Sequence, residues 1–79
     1  MMTLNIISAQ SIMFSGEVKS VTLPGTMGSF TVLHDHASLI STLTPGMVVY
    51  VDSEGAKHDT PISGGIVSVD NNIISVCVA

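Results

Sequence analysis

Two histidines flank an aspartate at His34-Asp35-His36, and a third stands at His58 beside Asp59, so the first chemistry this 79-residue sequence offers is metal binding. In an extended strand, residues two apart project to the same side. That would bring His34 and His36 together and leave His58 to complete a three-imidazole site of the zinc type. No short ligand spacing ties His58 to the pair, however, and the one thiol, Cys77, lies in an apolar stretch where it reads as a small core residue. The competing reading is a polar turn whose His and Asp groups bond to nearby backbone. Nucleophilic chemistry has less to build on: no serine sits in a Gly-x-Ser-x-Gly elbow, and Ser63-Gly64-Gly65 reads as a strand junction. Gly25-Thr26-Met27-Gly28 lacks the following Lys and the helix start of a phosphate loop. It reads as a turn whose glycines supply positive φ. The acids Glu17, Asp35, Asp52, Glu54, Asp59 and Asp70 fall mostly within turn signals and read as solvated.

Charge narrows the partners. Six acids against two lysines, Lys19 and Lys57, give a net charge of −4, which excludes neutralising a phosphate backbone or docking on an anionic bilayer. No apolar run approaches the roughly 18–20 residues of a membrane-spanning helix. The start, Met1-Met2-Thr3-Leu4-Asn5, carries no basic leader segment, so the chain reads as cytosolic. With one cysteine no internal disulfide can form.

The elements that must position these residues are strands. Val, Ile and Thr make up 25 of the 79 residues. Turn signals at Ser15-Gly16, Pro24-Gly25, Gly28, Pro45-Gly46, Asp52-Ser53-Glu54-Gly55, Gly64-Gly65 and Asp70-Asn71-Asn72 recur at the spacing of an antiparallel sandwich or barrel. Phe30 and Val32 share one face of a strand, as do Ile74, Val76 and Val78. Between Val18 and Val21 the apolar set changes phase, which predicts one extra residue in a bulge. Met47-Val48-Val49-Tyr50-Val51 is apolar on both faces, as at a contact with another chain. Over 30–43 the expectation is strand, a tight turn over Asp35-His36-Ala37, and strand again, closed by Pro45-Gly46. Only 10% of residues are charged, against about 25% in a typical domain, which favours a module whose surfaces are covered by partners.

Met13-Phe14-Ser15-Gly16-Glu17-Val18, Val21-Thr22-Leu23-Pro24-Gly25-Thr26, Gly28, Phe30, Val32-Leu33, His36-Ala37, Leu39-Ile40, Leu43, Pro45-Gly46 and Ser63-Gly64-Gly65-Ile66-Val67-Ser68-Val69 together carry a resemblance to the N-terminal β-domain of the F-type ATP synthase epsilon subunit family, called delta in mitochondria. It covers residues 3 to 78. The resemblance implies one all-β domain over residues 1–79, a flattened antiparallel β-sandwich of two sheets of about five strands each. It implies a non-catalytic central-stalk subunit without a cofactor, at the cytoplasmic face of the inner (plasma) membrane, which meets the membrane only through the complex. Its partners would be the gamma subunit and the polar loops of the c-ring. Carried over by position, Thr26, Met27, Ser29 and His36 would face the c-ring. Met27 stands out because a large apolar side chain at a turn tip serves no folding purpose. The apolar patch for gamma would come from Met47, Val49 and Val51, or from their neighbours Val48 and Tyr50. An acid is common in the family where this chain has Ser29, and Pro-Gly where it has His34-Asp35. The family usually continues into two helices, whereas this sequence stops at Ala79, so the resemblance implies a short form without helix-based inhibition or ATP binding.

Two other readings remain open from the residues. A biotinyl- or lipoyl-like carrier needs a lysine at a hairpin tip, but Lys19 lies within a strand pattern and Lys57 lacks the small apolar flanks. A metal-dependent enzyme would use His34, His36 and His58.

Overall fold

Apolar–polar alternation resolves into eight strands and no helix in the computed structural model, which describes residues 1–79. They are β1 (Met2–Ile7), β2 (Ile12–Gly25), β3 (Gly28–Val32), β4 (Leu39–Leu43), β5 (Gly46–Asp52), β6 (Lys57–Ile62), β7 (Gly65–Asp70) and β8 (Ile73–Val78). β2 is the longest at 14 residues, and its two halves do different work. Its first half pairs with β1, from Met2↔Val18 to Ile7↔Ile12. Its second half pairs with β5 on one edge and β3 on the other. β1 continues through β8 and β7 to β4, and Leu43 of β4 returns to Gly25 at the end of β2. One hydrogen-bonded sheet of eight strands therefore bends over at β2 and encloses a single core. The count is eight strands rather than about ten, because one long strand serves both layers. All pairings are antiparallel except β1 with β8.

The bulge falls where the change of phase predicts it. Val18 opposes Asp52 and Ser20 opposes Val51, so Lys19 is the extra residue, and Val18 and Val21 both turn inward. Alternate residues of every strand supply the fifteen-residue core: Met2, Leu4, Ile6, Val18, Val21, Leu23, Val32, Leu43, Val48, Tyr50, Ile62, Val67, Val69, Ile74 and Val76. Each fully buried aliphatic side chain contributes about 1.5–3 kcal/mol. Phe14 and Phe30 are half-buried and pack on this core.

Two expectations change. Cys77 is exposed, because Ile74 and Val76 face inward and strict alternation turns the residue after Val76 outward. The turn after β3 lies one residue earlier than expected, at His34-Asp35, closed by the His36 amide donating to Leu33 O at 3.1 Å, with Asp35 at φ 62. β3 and β4 are not hydrogen-bonded to each other. They belong to different layers.

Candidate functional site

The residues expected at a c-ring contact come from two separate places. Thr26 and Met27 form the tip of the β2–β3 hairpin, where Gly25 pairs with Gly28. Neither tip residue has positive φ; Gly28, at φ 126, takes the backbone reversal, while Gly25 stays outside that region. The tip is tied down on β4. The Thr26 amide donates to Thr42 O at 3.1 Å, the Thr26 and Thr42 hydroxyls are 2.8 Å apart, and the Thr44 amide donates to Pro24 O at 2.8 Å. Met27 is 98% exposed on this anchored tip, and Ser29, just beyond it, is exposed.

His36 lies past the other end of β3, a five-residue strand about 16 Å long. Its Nδ1 donates to Ala37 O at 2.7 Å, which fixes the ring along its own loop. The loop is fastened to the β7–β8 turn by Asn72: the Asp35 amide donates to Asn72 Oδ1 at 2.7 Å and Asn72 Nδ2 donates to Asp35 Oδ1 at 3.1 Å. Asn72 O also accepts from the Thr3 amide at 2.9 Å. Asn71 and Asn72 both have positive φ, 51 and 61, as a tight primed hairpin turn requires. Asn72 and Thr42 therefore position the two candidate elements, and neither was marked by motif; the Asp70-Asn71-Asn72 turn signal was the one available clue. A contact using both Met27 and His36 must run the length of β3.

β5 sorts its apolar run cleanly. Val48 and Tyr50 are buried, whereas Met47, Val49 and Val51 alternate to the outside, with Met47 exposed and the two valines half-buried. Of the two sets named from the sequence, Met47, Val49 and Val51 are thus the outward-facing one.

The three histidines do not converge. His34 Nε2 lies 3.4 Å from Asp35 Oδ1, and His58 Nε2 bonds Asp52 Oδ2 at 2.7 Å on the β5–β6 hairpin. No three His, Cys, Asp or Glu side chains form a group able to hold a metal ion, so the His34/His36/His58 triad has no geometric basis. His58 instead stacks on Tyr50, ring centroids 5.2 Å apart, and Tyr50 packs on Phe14 at 4.5 Å. Lys57 begins β6 and Lys19 sits in the bulge. Neither occupies a hairpin tip as a carrier lysine must.

The Asp52 carboxylate accepts three hydrogen bonds in the β5–β6 hairpin turn. The hydrogen bond from His58 and those from the Ala56 and Glu54 amides, both 2.9 Å, hold its carboxyl below the usual carboxylate range. A pKa lower in the folded than in the unfolded chain stabilises the fold above the unfolded value and is lost as pH falls through the folded one. The urea midpoint is therefore expected to decline on acidification through and below the carboxylate range, and Asp52→Asn to flatten that decline. An unchanged pH profile in Asp52→Asn would contradict the assignment.

The family model for the ATP synthase delta/epsilon chain β-sandwich domain matches residues 1–79. The ATP synthase epsilon chain of Wolinella succinogenes is 44% identical over 70 residues, covering 89% of this chain and 53% of that protein. The epsilon chain of Bordetella petrii is 38% identical over 72 residues, covering 91% and 51%. The chain thus spans about half the length of these curated relatives. Among solved structures, a chain of the Euglena gracilis mitochondrial ATP synthase (OSCP/F1/c-ring, rotational state 1) superposes with a TM-score of 0.91 at 23% identity, covering 98% of this chain and 49% of that one. A chain of the Tetrahymena thermophila mitochondrial ATP synthase central stalk and c-ring gives 0.78 at 18% identity, with 98% and 62% coverage. These two likenesses concern the fold.

Proposed function

The chain belongs to the ATP synthase delta/epsilon chain β-sandwich family, and from that premise we propose that it is a non-catalytic central-stalk subunit of an F-type ATP synthase. In this reading it binds the gamma subunit and touches the c-ring, so that ion-driven rotation is coupled to ATP synthesis elsewhere in the complex. It sits at the cytoplasmic face of the membrane and reaches the bilayer only through the complex. The observation that carries the proposal is the family match over the whole chain.

The mechanics required are stiffness and grip rather than bond chemistry. A close-packed core drawn from all eight strands resists shear because it has few alternative packings. Both proposed c-ring elements, Thr26-Met27-Ser29 and His36, are anchored to other strands through Thr42 and Asn72, so a load on either passes into the sheet. Two outward faces carry apolar side chains, that of β5 with exposed Met47 and half-buried Val49 and Val51, and that of the opposite layer. The gamma subunit is proposed to cover one of them.

The test is co-expression with the gamma subunit of the same organism, followed by size-exclusion chromatography. A stable one-to-one complex supports the reading, and a folded chain that never co-elutes with gamma counts against it. For the c-ring contact, Met27→Asp should leave the thermal midpoint within a degree or two, because the side chain touches little of the fold. It should weaken association with the membrane sector about tenfold, in line with loss of a contact worth about 1–2 kcal/mol. Undiminished coupling of ATP hydrolysis to ion pumping in membranes carrying Met27→Asp would remove Met27 from the contact.

A further inference from the structure

Two strands, β3 and β6, have a single hydrogen-bonded neighbour each, β2 and β5. The open side of β6 is guarded against further pairing by Lys57, Asp59 and Pro61, the last of which has no amide to give. β3 has no such guard. It contains neither proline nor charge, and the whole hairpin from Ser20 to Leu33 is without a charged residue.

The polar groups that β3 leaves open follow from its pairing with β2. Pro24 O accepts from the Thr44 amide and so points away from β3. Pro24↔Ser29 is thus a non-hydrogen-bonded pair, and by alternation so is Thr22↔Thr31. The amides and carbonyls of Ser29 and Thr31 therefore point along the open edge, where both residues are exposed. Antiparallel pairing of this edge with itself about Phe30 sets Ser29 opposite Thr31 of the second copy, and Thr31 opposite its Ser29. All four open amides then meet open carbonyls. A centre at Ser29 or Thr31 would instead set one of these residues against Met27 or Leu33, outside the strand. The Phe30 register also brings Met27, 98% exposed, toward Leu33 of the second copy, 57% exposed, at both ends of the ribbon. Half-buried Phe30 meets its own copy on the axis.

We propose that the free chain forms a two-fold dimer by antiparallel β3–β3 pairing, which joins the β3–β2–β5–β6 layers of two copies into one sheet. A second copy is the occupant because the register is self-complementary and the net charge of −4 is carried outside the hairpin. The inference goes beyond the stalk reading and does not depend on it, and a paired chain cannot offer the same Met27 tip to another surface. A ribbon this short makes a small interface, so the dissociation constant is expected on the order of 10–100 µM. Sedimentation velocity on the chain from about 5 to about 500 µM should therefore pass from the mass of one chain to that of two. Amide hydrogen exchange at Ser29 and Thr31, read by NMR, should slow at least threefold over the same range, while the β6 amides keep their rates. Thr31→Pro removes an amide that pairs with nothing inside the fold. It should retain a native circular dichroism spectrum and sediment as a monomer throughout. An unaltered chain that stays monomeric at the highest concentration overturns the proposal, as does a dimer whose Ser29 and Thr31 amides exchange at the monomer rate. A folded Thr31→Pro that dimerises undiminished also overturns it, and if that variant does not fold, the exchange rates of the unaltered chain decide.

Discussion

Gly65→Ala is expected to remove about 3–5 kcal/mol of stability. Gly65 opens β7 at φ 151 and pairs on both edges, with Leu43 of β4 and Val78 of β8. A Cβ there would collide with the carbonyl oxygen of Cys77 and stand 3.1 Å from Val78 Cα. Both obstacles are backbone, so no side chain can swing aside, and relief requires β8 to move off β7. Strain and overpacking together amount to about 3–5 kcal/mol, against a total stability of roughly 4–12 kcal/mol for a chain of this length. Urea denaturation followed by circular dichroism reads the loss, and a change below about 1 kcal/mol would refute it. Gly55→Ala serves as control. Gly55 has φ 88, but nothing lies within 4 Å of its Cβ position, so only backbone strain is added.

Leu4→Ala is the second large effect, expected at about 3–4 kcal/mol. Leu4 is fully buried in the middle of β1, between Ile74 of β8 and Gly16 of β2. Gly16 has no side chain to move into the space. Phe14, whose ring lies over Gly16, is held against Tyr50 at 4.5 Å. The void therefore stays largely open, and the lost transfer energy and the cavity cost add. The urea midpoint should drop without a change in slope. Ile40→Ala, at an 80% exposed position, should cost less than about 0.5 kcal/mol, and equal losses in the two variants would show that burial is not the cause.

Much of this architecture was legible because it follows from period-two alternation. The shift between Val18 and Val21 located the Lys19 bulge, and the all-apolar run from Met47 to Val51 split into inner and outer faces once β6 fixed which way the strand faced. Cys77 shows the same signal overlooked: Ile74 and Val76 on one face already oblige Cys77 to the other. What alternation cannot carry is pairing between distant strands. Nothing local indicates that one 14-residue strand serves both layers, so the strand count was overestimated. For the same reason nothing local indicates that Met27 and His36, nine residues apart in sequence, lie at opposite ends of a full strand. The His34-Asp35-His36 motif suggested a metal because same-side spacing requires an extended strand, whereas Asp35 occupies a left-handed turn position.

The parallel pairing of β1 with β8 has a consequence for biogenesis. Thr3 lies beside Ile73, and Ile7 beside Cys77, so β1 waits for a strand made about 70 residues later. Until β8 has left the ribosome, one edge of β1 is unsatisfied and Leu4 and Ile6 lack the Ile74 and Val76 side chains that help cover them. Closing loops of about 70 residues is slow, and domains dominated by such distant pairings fold in milliseconds to seconds. Nascent chains therefore acquire protease resistance only after β8 has emerged, and any pool made faster than it folds exposes an open strand edge to aggregation.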